Sequence, residues 1–438
     1  MTRTTTGPAT TAKPAKRIAT TTSTMTTTSA MKTTTSTAKT STTSNTTTRT
    51  TASTTKKTKT RTTTRAMSPR PPALRGSSPS RRPTRRTPTL RSPMTRLKGA
   101  PEALARAYDL ALLDLDGVVY LLHEPIPEAA ATLAALPGLE CDPVFVTNNA
   151  SRSPETVAEA LRGMDIPAEA DQVLTSAQVV ASGILDRIGK GGKVLVTGSE
   201  ALRAAVVEAG LEPVDDPKAA GAVAFGYTPQ TTWRALADTT IAVRGGAYWA
   251  TANLDATLPT PDGPLPGMGA LVGAVATALG HGPDFVAGKP EQPIYRIATA
   301  RKPGGRAIMV GDRPDSDIAG ANRAGMDSLL VFTGVVSPRL ALRLPPEERP
   351  TYLGWSLAAL TEPHPEPDWN DAVDRIECGG WTAALTDGQI VLSGQGDELD
   401  AWRALCELSW AAADMAGYDP ASSPVPLGEA AEKLLAGD

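Results

Sequence analysis

Short apolar runs alternate with amphipathic stretches between about residues 105 and 340. "LALLDLDG" (110–117) has the continuous apolar run of a buried strand and ends in two acids and a glycine. "IPEAAATLAAL" (126–136) predicts a helix with Pro near its start, and "DPVFVTNNAS" (142–151) a strand followed by a loop. "SPETVAEALRGM" (153–164) predicts a helix with Ser153 as N-cap and Pro154 at its first position. "RAIMVGDRPDSDIAGANRAG" (306–325) reads as strand, acidic loop and helix, and "DSLLVFTGV" (327–335) as another strand. Such βα alternation predicts an α/β protein: a Rossmann-like, doubly wound parallel sheet with helices on both faces. Ligands of such sheets bind at the carboxyl ends of the strands, where Asp114, Thr147 and Asp312 fall.

The pattern also divides the chain. The core is expected over 100–189 and again over 284–345. The insert over 190–283 has its own strands ("KVLVTGSE", "AGAVAFGYT", "AYWATANLD") and helices ("ALRAAVVEAG", "TTWRALADTT", "MGALVGAVATALG"), enough for an α/β cap. Pro-rich sequence over 346–369 reads as a linker. Residues 370–438 read as a small α+β segment, with a hairpin at Asp387–Gly388 followed by a helix. Its Trp381, Trp402 and Trp410 are expected in its core.

Charge sets the N-terminus apart. Met1–Lys98 holds 21 of the 44 basic residues and none of the 46 acidic ones, although the whole chain nets only -2. This Thr/Arg-rich tail, about 1–99, lacks hydrophobic periodicity and reads as disordered. "RRPTRR" (81–86) could engage a polyanion, and the acid-free composition resembles a transit peptide. The favoured reading gives the tail no function, with Met94 as a candidate start. No apolar run is long enough to span a membrane. Cys141, Cys378 and Cys406 are too scattered for a disulfide framework or zinc site, as are His123, His281 and His364, and a reducing, cytoplasmic setting is expected.

Asp114 and Asp116, joined by Asp312, Asp315 and Asp317 of "GDRPDSD" (311–317), place several carboxylates at one sheet edge. They repel unless a cation lies among them, and hard oxygen donors favour Mg2+ over zinc. Mg2+ with carboxylates points to a phosphate substrate. Lys289 in "AGKPEQPIY" (287–295) can neutralise phosphate charge, and "VTNNAS" (146–151) offers hydroxyl, amide and backbone donors. No GxxxxGK[ST] motif occurs, so this is not a P-loop nucleotide site. Each signal alone is ordinary: a turn, a loop cap, a surface lysine, a polar βα loop. The weight lies in all four appearing in this order, each at a strand end or helix start.

That order, DLDGVVY, VTNNAS, AGKP and VGDRPDSDIAGANRAG, resembles the haloacid dehalogenase superfamily of phosphatases over about 105–340. It is most similar to the NagD-like branch, which includes pyridoxal phosphate, phosphoglycolate and glycerol 3-phosphate phosphatases. The resemblance implies that Asp114 attacks phosphorus to give an aspartyl-phosphate. Asp116 would protonate the leaving group and then activate water, for which it should titrate above an ordinary Asp. Thr147, Asn148 and Asn149 would hold the phosphoryl oxygens, and Lys289 would neutralise the phosphate. Asp312 would bind Mg2+ with Asp114 and the backbone carbonyl of Asp116, supported by Asp317.

In that branch the insert covers the site and selects the leaving group. Asn253, Asp255, Thr257 and the 261–271 loop resemble its substrate-facing stretch, although a turn-shaping role is an equal alternative. Ala252 stands where the branch commonly has Thr. The expectation is a Mg2+-dependent phosphomonoesterase acting on a small phosphorylated metabolite. Glycerol 3-phosphate comes first, then phosphoglycolate, pyridoxal phosphate or a nucleotide, with a homodimer through the cap as a candidate assembly. Two rivals are a polyanion-binding protein acting through its tail, with nucleic acid the less expected partner, and a non-catalytic ligand sensor.

Overall fold

The computed structural model describes residues 97–122, 124–258, 260, 263–370, 374–416 and 428–436. The predicted basic tail therefore lies outside the described residues, apart from its last few positions.

The first strand, β1 (Leu110–Leu113), is "LALL" with all four residues buried. Burial on both faces is what a central parallel strand requires. The chain then runs through α1 (Ala129–Ala135) to β2 (Asp142–Thr147), α2 (Pro154–Arg162), β3 (Val173–Thr175) and α3 (Ser176–Ile188). Ser153 caps α2, accepting from Thr156 N–H at 3.2 Å, as its sequence predicts. A reciprocal Thr175–Gln178 capping box starts α3.

The insert forms a second sheet: β4 (Lys193–Thr197), α4 (Glu200–Glu208), β5 (Glu212–Val214), β6 (Ala222–Phe225), α5 (Trp233–Arg244), β7 (Tyr248–Thr251), α6 (Met268–Leu279) and β8 (Phe285–Val286). Its strands are all parallel, in the order β8-β7-β6-β4-β5. One apolar face packs Phe225 and Trp249 against Met268 and Val272. The other shares a cluster with the first sheet and α3, joining Val194, Ala224 and Ala250 to Leu112 and Val146 of the sheet and Ile184 of the helix.

The chain returns through α7 (Gln292–Thr299), β9 (Ala307–Gly311), α8 (Ala319–Ala324), β10 (Asp327–Val331), α9 (Pro338–Ala341) and β11 (Tyr352–Gly354). The core sheet has six parallel strands in the order β11-β10-β9-β1-β2-β3. The fold class is the one the alternation predicts.

One segment differs from its reading. The stretch taken as a linker, 346–369, carries β11, whose three residues are all buried and pair with β10. "TYLGW" is too short and too enclosed by prolines to register as a strand from periodicity, yet its apolar side chains complete the sheet edge. Beyond it, β12 (Asp368–Trp369), β13 (Arg375–Cys378), β14 (Trp381–Thr386) and β15 (Gln389–Gly394) form an antiparallel sheet. Asp387 and Gly388 make the β14–β15 turn with φ of 50° and 77°, the left-handed pair a two-residue hairpin needs. The long helix α10 (Glu398–Ala416) packs on this sheet and is followed by α11 (Glu429–Ala436). Trp402 and Trp410 are buried in the cluster between α10 and its neighbours, and Trp381 packs against it. All three cysteines are free and buried. No helix among the described residues is long and apolar enough to cross a membrane.

Candidate active site

The strand order makes β9, β1 and β2 neighbours, so the residues following them share one end of the sheet. Asp114 continues β1, its N–H bonded to the Val310 carbonyl of β9 at 2.9 Å. Thr147 closes β2, buried, its Oγ1 accepting from Asn149 N–H at 3.1 Å. Asp312 follows β9 and is 1 % exposed.

Lys289 joins them. It is buried, with Nζ 2.6 Å from Asp114 Oδ1 and 2.7 Å from Asp317 Oδ1. Burial alone would lower its pKa, but Asp114 and Asp317 outweigh that and hold the ammonium above its ordinary value. Burial pushes the Asp317 carboxyl up to about 8, against the pull of Lys289 and with repulsion from Asp114 and Asp312. Burial, then the Asp114 charge, raises Asp312 to about 6. One ammonium among three carboxylates leaves excess negative charge in a poorly solvated place.

A divalent cation fits that excess. One oxygen each from Asp114, Asp312 and Asp317 lie within 4.8 Å of one another. Ligand oxygens at Mg2+ distances of about 2.0–2.1 Å would stand roughly 4 Å apart across the ion. Asp312 Oδ2 accepts from Val335 N–H at 2.7 Å, while buried Oδ1 has no hydrogen-bond partner among the described residues and is available to ligate.

Close approach shapes the cradle. Gly117 has φ +85°, and a Cβ there would strike the Asp312 carboxylate. A Cβ at Gly334 would do the same, and one at Gly311 would enter Asp317. Thr333 Oγ1 ties the Gly117 carbonyl at 2.5 Å. Tyr295 O–H donates toward the carbonyls of Ser316 and Asp317, at 3.0 and 3.1 Å, and steadies the acidic loop from beneath.

Asp116 is exposed, its Oδ1 accepting from Leu122 N–H at 3.4 Å. Burial, then the charges of Asp116 and Asp114, pushes the Tyr120 phenol up to about 12. Asn148 is a hub. Its Oδ1 accepts from Lys289 N–H at 2.7 Å, and its Nδ2 donates to the Lys289 carbonyl at 3.0 Å and to the Asp255 carboxylate at 3.2 and 3.3 Å. Its carbonyl accepts from Ser176 Oγ at 2.6 Å and Asn253 Nδ2 at 2.7 Å. Asn149 instead turns its Oδ1 onto Ser151, at 2.7 Å to N and 2.6 Å to Oγ.

The cap residues Asn253 and Asp255 thus bind the core loop directly, and Asn253 Oδ1 also accepts from Asp255 N–H at 3.0 Å. Burial raises the Asp255 pKa, against the Asn148 hydrogen bond and the charge of Arg313. Parts of the 261–271 loop, Pro261 and Asp262, lie outside the described residues.

Sequence reasoning missed Tyr295, Thr333, Gly334 and Val335. The last three follow β10, next to β9. The rule that loops at the carboxyl ends of adjacent parallel strands meet the ligand would have found "TGV". Tyr295 gave no such signal.

Two family models, for haloacid dehalogenase-like hydrolases, match residues 111–212 and 286–360. A third, described as a GCN5-related N-acetyltransferase-like domain, matches 378–437. The chain is 40 % identical over 309 residues to a D-glycerol 3-phosphate phosphatase of Mycobacterium tuberculosis, covering 68 % of this chain and 83 % of that one. It resembles the crystal structure of a glycerol phosphate phosphatase from that organism in complex with magnesium, with TM-score 0.67, 36 % identity, and 77 % and 98 % of the two chains covered. It also resembles a p-nitrophenyl phosphatase of Archaeoglobus fulgidus, with TM-score 0.55, 30 % identity, and 58 % and 98 % covered.

Proposed function

The chain belongs to the haloacid dehalogenase-like hydrolases, a phosphatase by its relatives, and on that premise we propose that it hydrolyses glycerol 3-phosphate by way of an aspartyl-phosphate on Asp114. The observation that carries the reading is the buried Lys289 ammonium held between Asp114 and Asp317, with Asp312 completing a carboxylate triad.

Asp114 stands at the strand end with one oxygen on Lys289. That contact fixes the carboxylate for in-line attack on phosphorus and offsets its repulsion from the phosphate. Asp116, exposed two residues on, would give a proton to the leaving alkoxide and then take one from water. Thr147, Asn148 and Asn149, at the end of the neighbouring strand β2, would hold the phosphoryl oxygens. Asp114 and Asp312, with the Asp116 carbonyl, would hold Mg2+, and Asp317 would support them. When bound, the ion supplies charge neutralisation at the transferring phosphoryl group.

Substrate identity rests on a likeness that reaches beyond the core and cap. The match to the glycerol phosphate phosphatase covers 77 % of this chain, against 58 % for the p-nitrophenyl phosphatase, so it extends past core and cap. The test is phosphate release by purified protein with Mg2+ from glycerol 3-phosphate, phosphoglycolate, pyridoxal phosphate, a nucleoside monophosphate and an aryl phosphate. Glycerol 3-phosphate should give the highest kcat/KM among the natural esters. A tenfold or greater preference for another ester would replace it, and no release from any would overturn the reading.

A further inference from the structure

Five residues after β10, Phe332–Val336, face two ways. The middle three hold the site: Thr333 ties Gly117, Gly334 leaves room for Asp312, and Val335 N–H donates to Asp312 Oδ2. The outer two point into the C-terminal module. Val336 is a buried member of the cluster containing Trp402, Leu405 and Trp410, and Phe332 packs against it. Ile318, adjacent to Asp317, is buried in the same cluster.

Helix α10 also grips the chain just downstream. Trp410 Nε1 donates to the Ala341 carbonyl at 2.8 Å, at the end of α9. Buried Arg349 forms a two-pronged pair with Asp414, at 2.7 and 2.8 Å, and its guanidinium stacks over Trp410 with 5.6 Å to the ring centroid. A planar fork held this way has little rotational freedom. The segment carrying Val335 is therefore fixed on one side by a module outside the phosphatase core.

Acyl-transfer chemistry has no comparable support there. The first turn of α10 carries Glu398 and Asp400, and Asp397 already accepts from Leu399 N–H at 2.8 Å. Such a helix start repels the phosphates of an acyl carrier.

We infer that the C-terminal module is a positioning element for the metal site, with Trp410 and Val336 setting the loop that orients Asp312. This rests on the reading of Asp312 as a Mg2+ ligand. The decisive measurement is calorimetric titration of Mg2+ into the full-length protein, below its unfolding range, alongside kcat and Tm. Trp410→Phe keeps an aromatic ring, though a smaller one, and removes the donor to Ala341. Val336→Ala loosens the same loop without touching a polar group. Each should raise the Kd for Mg2+ by about five- to tenfold. Val223→Ala, in the buried cap cluster, should lower Tm and leave that Kd unchanged.

Wild-type Mg2+ affinity in both Trp410→Phe and Val336→Ala would overturn the inference, as would equal weakening in Val223→Ala. Weakened Mg2+ binding in a protein that releases phosphate from no ester would uphold the inference and sink the proposed function. Unchanged binding in an active phosphatase would do the reverse. Absence of Mg2+ uptake by the wild type would overturn both.

Discussion

Asn148 of the core donates its side-chain amide to the carboxylate of Asp255 in the cap, at 3.2 and 3.3 Å, while the same amide group brackets the backbone of Lys289. A residue read as substrate-facing is thus part of the joint between cap and core. Asp255→Ala should lower kcat for a small aryl phosphate as well as for glycerol 3-phosphate, by about ten- to a hundredfold, because losing hydrogen bonds to a charged acceptor is worth roughly 1.5–3 kcal/mol. Steady-state kinetics on both esters checks this. A defect confined to KM for the natural ester would return Asp255 to the role of leaving-group selector.

Asp114→Asn keeps shape and removes the attacking charge. Turnover should fall at least about a thousandfold while the far-ultraviolet circular dichroism stays that of the wild type. Incubation with chelator should silence the wild type, and Mg2+ should restore it. Sustained Mg2+-dependent turnover in the variant would rule out Asp114 as nucleophile.

Lys289→Met leaves Asp114 and Asp317 facing each other without their ammonium. In chelator, such a loss typically costs about 3–5 kcal/mol of stability, and with Mg2+ present, where the wild type turns over, activity should disappear. Mg2+ should raise the Tm of the variant more than that of the wild type, since the ion then supplies the only counter-charge. Thermal melts with and without Mg2+ decide it; equal shifts would mean that ion and lysine act independently.

His364 gives a pH signature away from the site. Burial, with the Arg403 charge adding to it, lowers its pKa to about 4 despite the bond to the Ala359 carbonyl. Arg403 Nη2 lies 3.1 Å from Nδ1 and Ala359 O lies 2.9 Å from Nε2, so the neutral ring accepts at one nitrogen and donates at the other. The unfolded chain then binds more protons between pH 4 and 6.5. Stability from this residue is complete above about pH 6.5 and is lost as pH falls toward 4, amounting to about 2 kcal/mol between pH 7 and 5. Urea unfolding in chelator at both pH values, wild type against His364→Gln, isolates this contribution. The raised Asp312 and Asp317 act in the opposite sense and cancel in the comparison. An equal pH response in the two proteins would exclude it.

The sequence by itself determined the core's βα alternation, the cap as an insert with its own sheet, and the strand-end acids Asp114 and Asp312, because periodicity and turn residues act over a few positions. Ser153, Pro154 and the Asp387–Gly388 turn are legible for the same reason. Tertiary structure decided what local pattern cannot carry. It brought Lys289 between Asp114 and Asp317, residues separated by long stretches of chain, and seated Val335 on Asp312. It turned Asn148 and Asp255 into a cap–core joint. It drew Tyr352–Gly354 from an apparent linker into the core sheet and set Trp410 behind the loop that holds Asp312. Each depends on burial and on partners distant in sequence: a lysine is a surface cation or a buried counter-ion according to which carboxylates folding puts beside it.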